Sequence, residues 1–242
     1  MQVVQSEALV TGLQRVTLRF PNISDLVDDG LHVRLMMPKD VGRAPVWPVM
    51  AENGSPVWPQ GDDELHARFI TIADNDLANE TVALDIASHD DGLVSRWAVS
   101  AKPGDEVGAM GPAGLSALPV RESYLLAADL TAISSLKRLA RDIPASARIT
   151  AIVAAPAGFD PADCFQRDDL SLRLVEPDAF ESTVQARIAQ EMDADRAEFV
   201  WFAGEFENAQ STRKFLKSEL GMTKDDQLCA AYWRRGHAGY GS

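Results

Sequence analysis

Apolar and polar positions alternate through most of the first half of the chain and give way to continuous apolar runs in the second. From Leu13 on, Val16, Leu18 and Phe20 line one face of a strand. Leu31-His32-Val33-Arg34-Leu35-Met36-Met37 is a second strand of that kind, stopped by Pro38. Between them Pro21 to Gly30 is polar and acidic, with a short helical turn expected at 23–27. Residues 38–66 are rich in proline and glycine and read as one long loop, which Trp47 and Trp58, each in a Val-Trp-Pro context, pin down. Strands follow at 68–72, 81–88 and 106–110, with one short helix at 95–101. Short strands between Gly/Pro turns predict a small antiparallel barrel.

The character changes near Val120. Tyr124-Leu125-Leu126-Ala127-Ala128 is a continuous apolar strand, the kind buried on both faces of a parallel sheet. A helix at 132–141, a strand at 149–154, a strand at 172–175 and a helix at 179–191 follow. A strand at 199–204 and an amphipathic helix at 209–220 end the pattern at Gly221. Alternating strands and helices predict a doubly wound α/β sheet with ligands at the carboxyl ends of its strands. The fold class is thus an N-terminal antiparallel β-barrel domain, 1–120, followed by an α/β domain, 121–242.

Composition changes this picture little. The 242 residues are 46% hydrophobic and 24% charged, and no apolar run is long enough to span a membrane. A net charge of −13 argues against a nucleic-acid surface, since phosphate binding needs clustered Lys and Arg. It also requires any anionic ligand to be met by a local positive site. Cys164 and Cys229 are far apart, form no metal-spaced pair and read as reduced thiols. With no basic region leading an apolar one at the N-terminus, a cytoplasmic location is the expectation.

The chemistry concentrates between Arg68 and Gly114. The strand 82–87 leads through His89 into Gly92-Leu93-Val94-Ser95-Arg96-Trp97, a glycine turn opening a helix. A helix start leaves backbone N–H groups pointing outward, ready for an anion, and Ser95 is the expected N-cap. Arg68 on the neighbouring strand would complete a clamp for a pyrophosphate. Trp97 reads as core. Asp129 and Thr131 at the first strand–helix junction of the second half fit a helix cap. No G-x-G-x-x-G run is present. Tyr232-Trp233-Arg234-Arg235-Gly236 is an aromatic and basic cluster in an acidic chain and reads as a docked segment.

An Arg-x-x-Thr strand in a barrel followed by an α/β domain resembles ferredoxin-reductase-like flavoenzymes. More closely, the chain resembles the siderophore-interacting protein family, the FAD-dependent ferric-siderophore reductases. The carriers are the segment 68–73, Leu84-Asp85-Ile86 with His89, and Gly92-x-x-Ser95-x-Trp97-Ala98. Lys102-Pro103-Gly104-Asp105, Gly111-Pro112, Asp129-x-Thr131-Ala132, Trp201-Phe202-Ala203-Gly204-Glu205 and the 232–236 cluster complete the ordered set.

The resemblance implies FAD as cofactor, a ferric siderophore as substrate, and NADH, NADPH or reduced ferredoxin as donor. It implies that Arg68 faces an FAD phosphate and Thr71 the flavin or ribityl. Asp85, His89, Gly92, Leu93, Val94 and Ser95 would line the pyrophosphate or adenine. Asp129, Thr131 and Trp233 would meet flavin or nicotinamide, and Lys102, Arg234 and Arg235 would attract an anionic ferric chelate. The family's flavin-packing tyrosine is Ile70 here and its second arginine is Ala73. The family run Gly-Asp-Glu-Thr-Ala, an apolar residue and Pro becomes Ala128-Asp129-Leu130-Thr131-Ala132-Ile133-Ser134. These departures keep two alternatives open: a flavin-free member that binds a siderophore or a partner, and a flavin reductase for another acceptor.

Overall fold

The structure, a computed structural model, describes all residues except 22, 24–29, 41–42, 89–91, 116, 161–164, 166, 168 and 238–242. The turn expected at 23–27, His89 and Cys164 therefore fall wholly or largely outside the described residues. The chain divides into two compact units: Met1–Glu7 with Gln14–Gly114, and Ala8–Leu13 with Leu115–Gly241.

The first unit is built on β1 (Gln2–Val10), β2 (Leu13–Arg19), β3 (His32–Pro38), β6 (Leu65–Asp76), β7 (Thr81–Ala87) and β8 (Gly108–Ala113). They form one sheet in the order β1-β2-β7-β6-β3-β8, and Gln2 bridges to Glu106 on the chain entering β8. Alternation sets its two faces. Val33, Leu35 and Met37 join Val16, Leu18, Ile72, Leu84 and Trp97 in the barrel core. Met36, between them, points the other way with Leu65 and Ala67, and there Trp47 and Trp58 pack. The tryptophans thus hold the 38–66 loop against the sheet. A β-carbon at Gly108 would stand 2.7 Å from the Trp47 ring, so only glycine admits that contact. Inside the loop a short hairpin pairs β4 (Val49–Met50) with β5 (Pro56–Val57). The strand β1 escapes the periodicity reading because, as an edge strand, it buries only Val3 fully.

The second unit carries β9 (Ser123–Ala128), β10 (Arg148–Ala154), β11 (Leu170–Val175), β12 (Phe199–Glu205) and β13 (Gln227–Trp233). All pair in parallel, in the order β11-β10-β9-β12-β13. Every residue of β9 and of β12 is buried, as their unbroken apolar runs require. The helices α2 (Ile133–Asp142), α3 (Pro177–Ala194) and α4 (Phe206–Ser218) accompany the strands. Phe180, Val184, Ile188 and Met192 form the buried row of α3, with Phe180 stacked on Phe202 at 6.2 Å. Each such side chain contributes about 1.5–3 kcal/mol of burial. β13 extends the pattern beyond Gly221, where the sequence reading ended it: 227–233 is a fifth strand of the sheet, and Tyr232 and Trp233 of the docked segment belong to it. Strand order reverses at β9, so the topological switch point of this unit lies at the carboxyl ends of β9 and β12. Among the described residues no helix is long and apolar enough to cross a membrane.

Candidate functional site

In the first unit the site begins on β6. Arg68 stands opposite Leu35 and Ile70 opposite Val33, so both share the face that leads into the barrel core. Ile70 packs against that core and is half-buried. Thr71 pairs with His32 on the opposite face and is 5% exposed, so Arg68 and Thr71 do not form one continuous side-chain patch. Ala73 is buried. Arg68 is itself half-buried. Its Nη1 donates to the carbonyl of Ala67 at 3.1 Å, and no carboxylate among the described residues pairs with it. Burial pushes its pKa down from the usual guanidinium value. Next on the same face, His66 is pushed down to about 4 by burial, then by the charges of Arg68 and Lys39.

β7 runs antiparallel to β6 with Leu84 opposite Ile72. It ends at Ala87, and α1 (Leu93–Ser100) follows. The N-cap of α1 is Gly92, which brings no side chain, and the carbonyl of Gly92 accepts from Arg96 N at 2.9 Å. The N–H groups of Leu93, Val94 and Ser95 have no acceptor inside the helix. This corrects Ser95 as the cap: the helix starts two residues earlier, and Ser95 is buried within its first turn. Asp85 is held by Arg15, which donates from Nε at 2.6 Å and from Nη2 at 2.8 Å. With 6% of its side chain exposed, that carboxylate is already neutralised. Lys102 stands exposed on the turn before β8, where its backbone N donates to the Asp105 carboxylate at 2.8 Å.

In the second unit the carboxyl ends of β9, β12 and β13 converge on Asp129. Its Oδ1 accepts from Thr131 N at 2.9 Å and from Thr131 Oγ at 2.5 Å, and its Oδ2 accepts from Trp233 Nε1 at 2.7 Å. A β-carbon at Gly204 would stand 2.8 Å from Oδ2, so the glycine makes room for the carboxylate. Burial raises the Asp129 pKa against the pull of these donors. Glu205 plays the corresponding part on α4. Its Oε2 caps the helix, accepting from Glu207 N at 2.5 Å and Asn208 N at 3.2 Å, while Oε1 accepts from Arg235 N at 3.2 Å.

The aromatic and basic cluster is docked. Tyr232 donates to Ser135 Oγ at 2.8 Å. Arg234 lies over the Phe206 ring at 4.6 Å with Glu207 at 3.9 Å. Arg235 donates to both oxygens of Glu181, at 2.6 and 2.8 Å, beside the Trp233 ring. The two arginines are thus engaged rather than free.

Sequence reasoning missed Arg15, His66 and the buried capping role of Glu205. Only Glu205 carried a signal, a carboxylate directly before a helix. Arg15 and His66 acquire their meaning from strand pairing.

Comparison with known proteins completes the picture. Residues 2–116 match the model of a siderophore-interacting FAD-binding domain, and residues 121–236 match that of a siderophore-interacting protein. An NADPH-dependent ferric-chelate reductase of Escherichia coli is 27% identical over 96% of this chain and 91% of its own length. A ferric vibriobactin reductase of Vibrio cholerae is 22% identical over 98% of this chain and 89% of its own. The solved siderophore-interacting protein of Acinetobacter baumannii superposes with a TM-score of 0.77 at 17% identity, covering 100% of this chain and 92% of that one. The order of an antiparallel barrel and then an α/β sheet is that of the ferredoxin-reductase-like fold.

Proposed function

The chain belongs to the siderophore-interacting protein family, and from that premise we propose that it is an FAD-dependent ferric-siderophore reductase. The observation that carries the reading is Arg68: a half-buried cation with no carboxylate partner among the described residues, on the strand paired with β7, which leads to a helix that begins on Gly92. A cation and the backbone N–H groups of a helix start together fit a diphosphate. Arg68 and the turn from Gly92 to Ser95 would hold the FAD diphosphate, and Ile70 would offer an aliphatic surface to the ring system. Bound FAD supplies the chemistry, accepting electrons from the donor and passing them singly to Fe(III). The substrate is a ferric siderophore and the product Fe(II), which oxygen ligands hold less tightly.

NADPH is the donor in this reading, following the relative named for it. Its place would be the α/β domain, 121–242, with the barrel, 1–120, holding FAD; a reduced ferredoxin is the other donor the reading admits. The N-termini after β9 and β12 are already capped by Asp129 and Glu205. Thr131 and Trp233 likewise give their donors to Asp129. In the second unit an anionic chelate would meet Arg234 and Arg235 through their exposed ion pairs; Lys102, on the first unit, is a separate exposed cation. Such pairs are each worth about 0–1 kcal/mol and yield readily to a better anion. The reading includes a cytoplasmic location.

The test is the visible spectrum after reconstitution with FAD and desalting, followed by Fe(II) formation from a ferric siderophore with NADPH. Retained flavin absorbance and chelate-dependent Fe(II) are expected. A protein that stays colourless sinks the reductase reading in favour of a flavin-free binder. A flavoprotein inert toward ferric chelates points to another acceptor.

A further inference from the structure

His66 precedes Arg68 by two positions on β6, so the two side chains leave the same face of the strand, with Cα atoms about 6–7 Å apart. The register supports this. Met37, Leu35 and Val33 on β3 face His66, Arg68 and Ile70 in turn, while Leu65 and Ala67 belong to the cluster on the other face. Lys39, just past the end of β3, is the third cation here. It pairs with Glu64 at 2.7 Å, whereas Arg68 has no acid partner among the described residues. The groups acting on His66 are Arg68 from its own strand and Lys39 from the end of the neighbouring one, both repulsive to a proton. The free protein therefore keeps His66 neutral beside a cation with no acid partner among the described residues. A bound anion at Arg68 would reverse the sign of that field.

We propose that His66 is a second anion-facing residue of the FAD site, taking up a proton from solvent when the FAD diphosphate binds beside Arg68. The proposal rests on the reading of Arg68 as the diphosphate holder. The sign follows from linkage. The imidazole is neutral above about pH 4 in the free protein, and its pKa is higher in the complex. Binding then takes up protons between those two values, and FAD affinity rises as pH falls through the window.

The experiment measures FAD binding to the apoprotein by calorimetry at pH 7.5 and 5.5 in buffers of different ionisation enthalpy. Wild type is expected to bind on the order of tenfold tighter at pH 5.5, the limit being tenfold per pH unit for one proton. Proton uptake should accompany the binding. His66→Gln should lose the uptake and the slope, and His66→Lys, with a fixed charge, should bind tightly at both pH values. Equal affinity at both pH values, or a slope that survives in His66→Gln, overturns the role of His66 while leaving FAD binding standing. Absence of FAD binding at either pH overturns both readings.

Discussion

The strand face around Arg68 and the carboxyl edge of the parallel sheet treat charge in opposite ways. On β6 a half-buried guanidinium is left without a carboxylate among the described residues, two positions from a neutral histidine, and the helix after the paired strand β7 begins on a bare glycine. At the ends of β9, β12 and β13, Asp129 has three donors, Glu205 caps its helix, and Arg235 grips Glu181. Polar groups that are mutually satisfied hold a structure together. A charge left uncompensated costs stability and is kept where a ligand completes it. In the proposed reading, the difference separates a region that receives an anion from one that fixes a chain segment.

The comparison breaks most visibly at Asp129. Asp129→Ala leaves the Trp233 and Thr131 donors without an acceptor and should cost about 2–4 kcal/mol, read by urea unfolding. Its pH dependence is also defined. Burial raises the folded pKa of Asp129, so its contribution is fully present below pH ~4 and is lost as pH rises through the raised value. Stability of wild type relative to Asp129→Asn should therefore fall as pH increases over that window.

Arg68→Ala should do the reverse. Stability should hold or rise slightly, while FAD affinity falls about 10–100-fold, the loss of one charge-assisted contact of ~1.5–3 kcal/mol. Equal losses of stability in the two variants would erase the distinction between the regions.

Glu205→Ala sharpens it. Removing the cap should cost about 1–2 kcal/mol, and inorganic phosphate should then raise the melting temperature of the variant more than that of wild type. The smallest effect is expected from Ile70→Tyr, which offers an aromatic face at a half-buried position of β6. FAD affinity should rise about 2–10-fold, the ~0.5–1.5 kcal/mol of an aromatic pair. No change there would mean that position 70 does not meet the ring system.

The two halves were legible in sequence for different reasons. Alternation in 31–37 exposed a one-sided strand, and the unbroken run 124–128 exposed a strand buried on both faces. β13 was hidden because Gln227-Leu228-Cys229-Ala230-Ala231 is short in large apolar side chains; only Cys229 among its residues is fully buried, and its thiol is pushed up to about 12 by that burial. Neighbouring backbone, rather than side-chain pattern, makes it a strand.

By itself the sequence determined the succession of barrel and α/β sheet, the place of Arg68 on a strand before a glycine-led helix, and the family. Those properties are local or additive: periodicity, turn residues and ordered motifs survive without knowing what touches what. Which charges are satisfied was decided by the tertiary structure alone. Arg15 meets Asp85 across 70 positions of sequence, and Trp233 meets Asp129 across 104. Arg68 meets no carboxylate among the described residues. A carboxylate or a cation has the same letter in every setting. Its protonation and its freedom to bind depend on burial and on partners that only folding brings near.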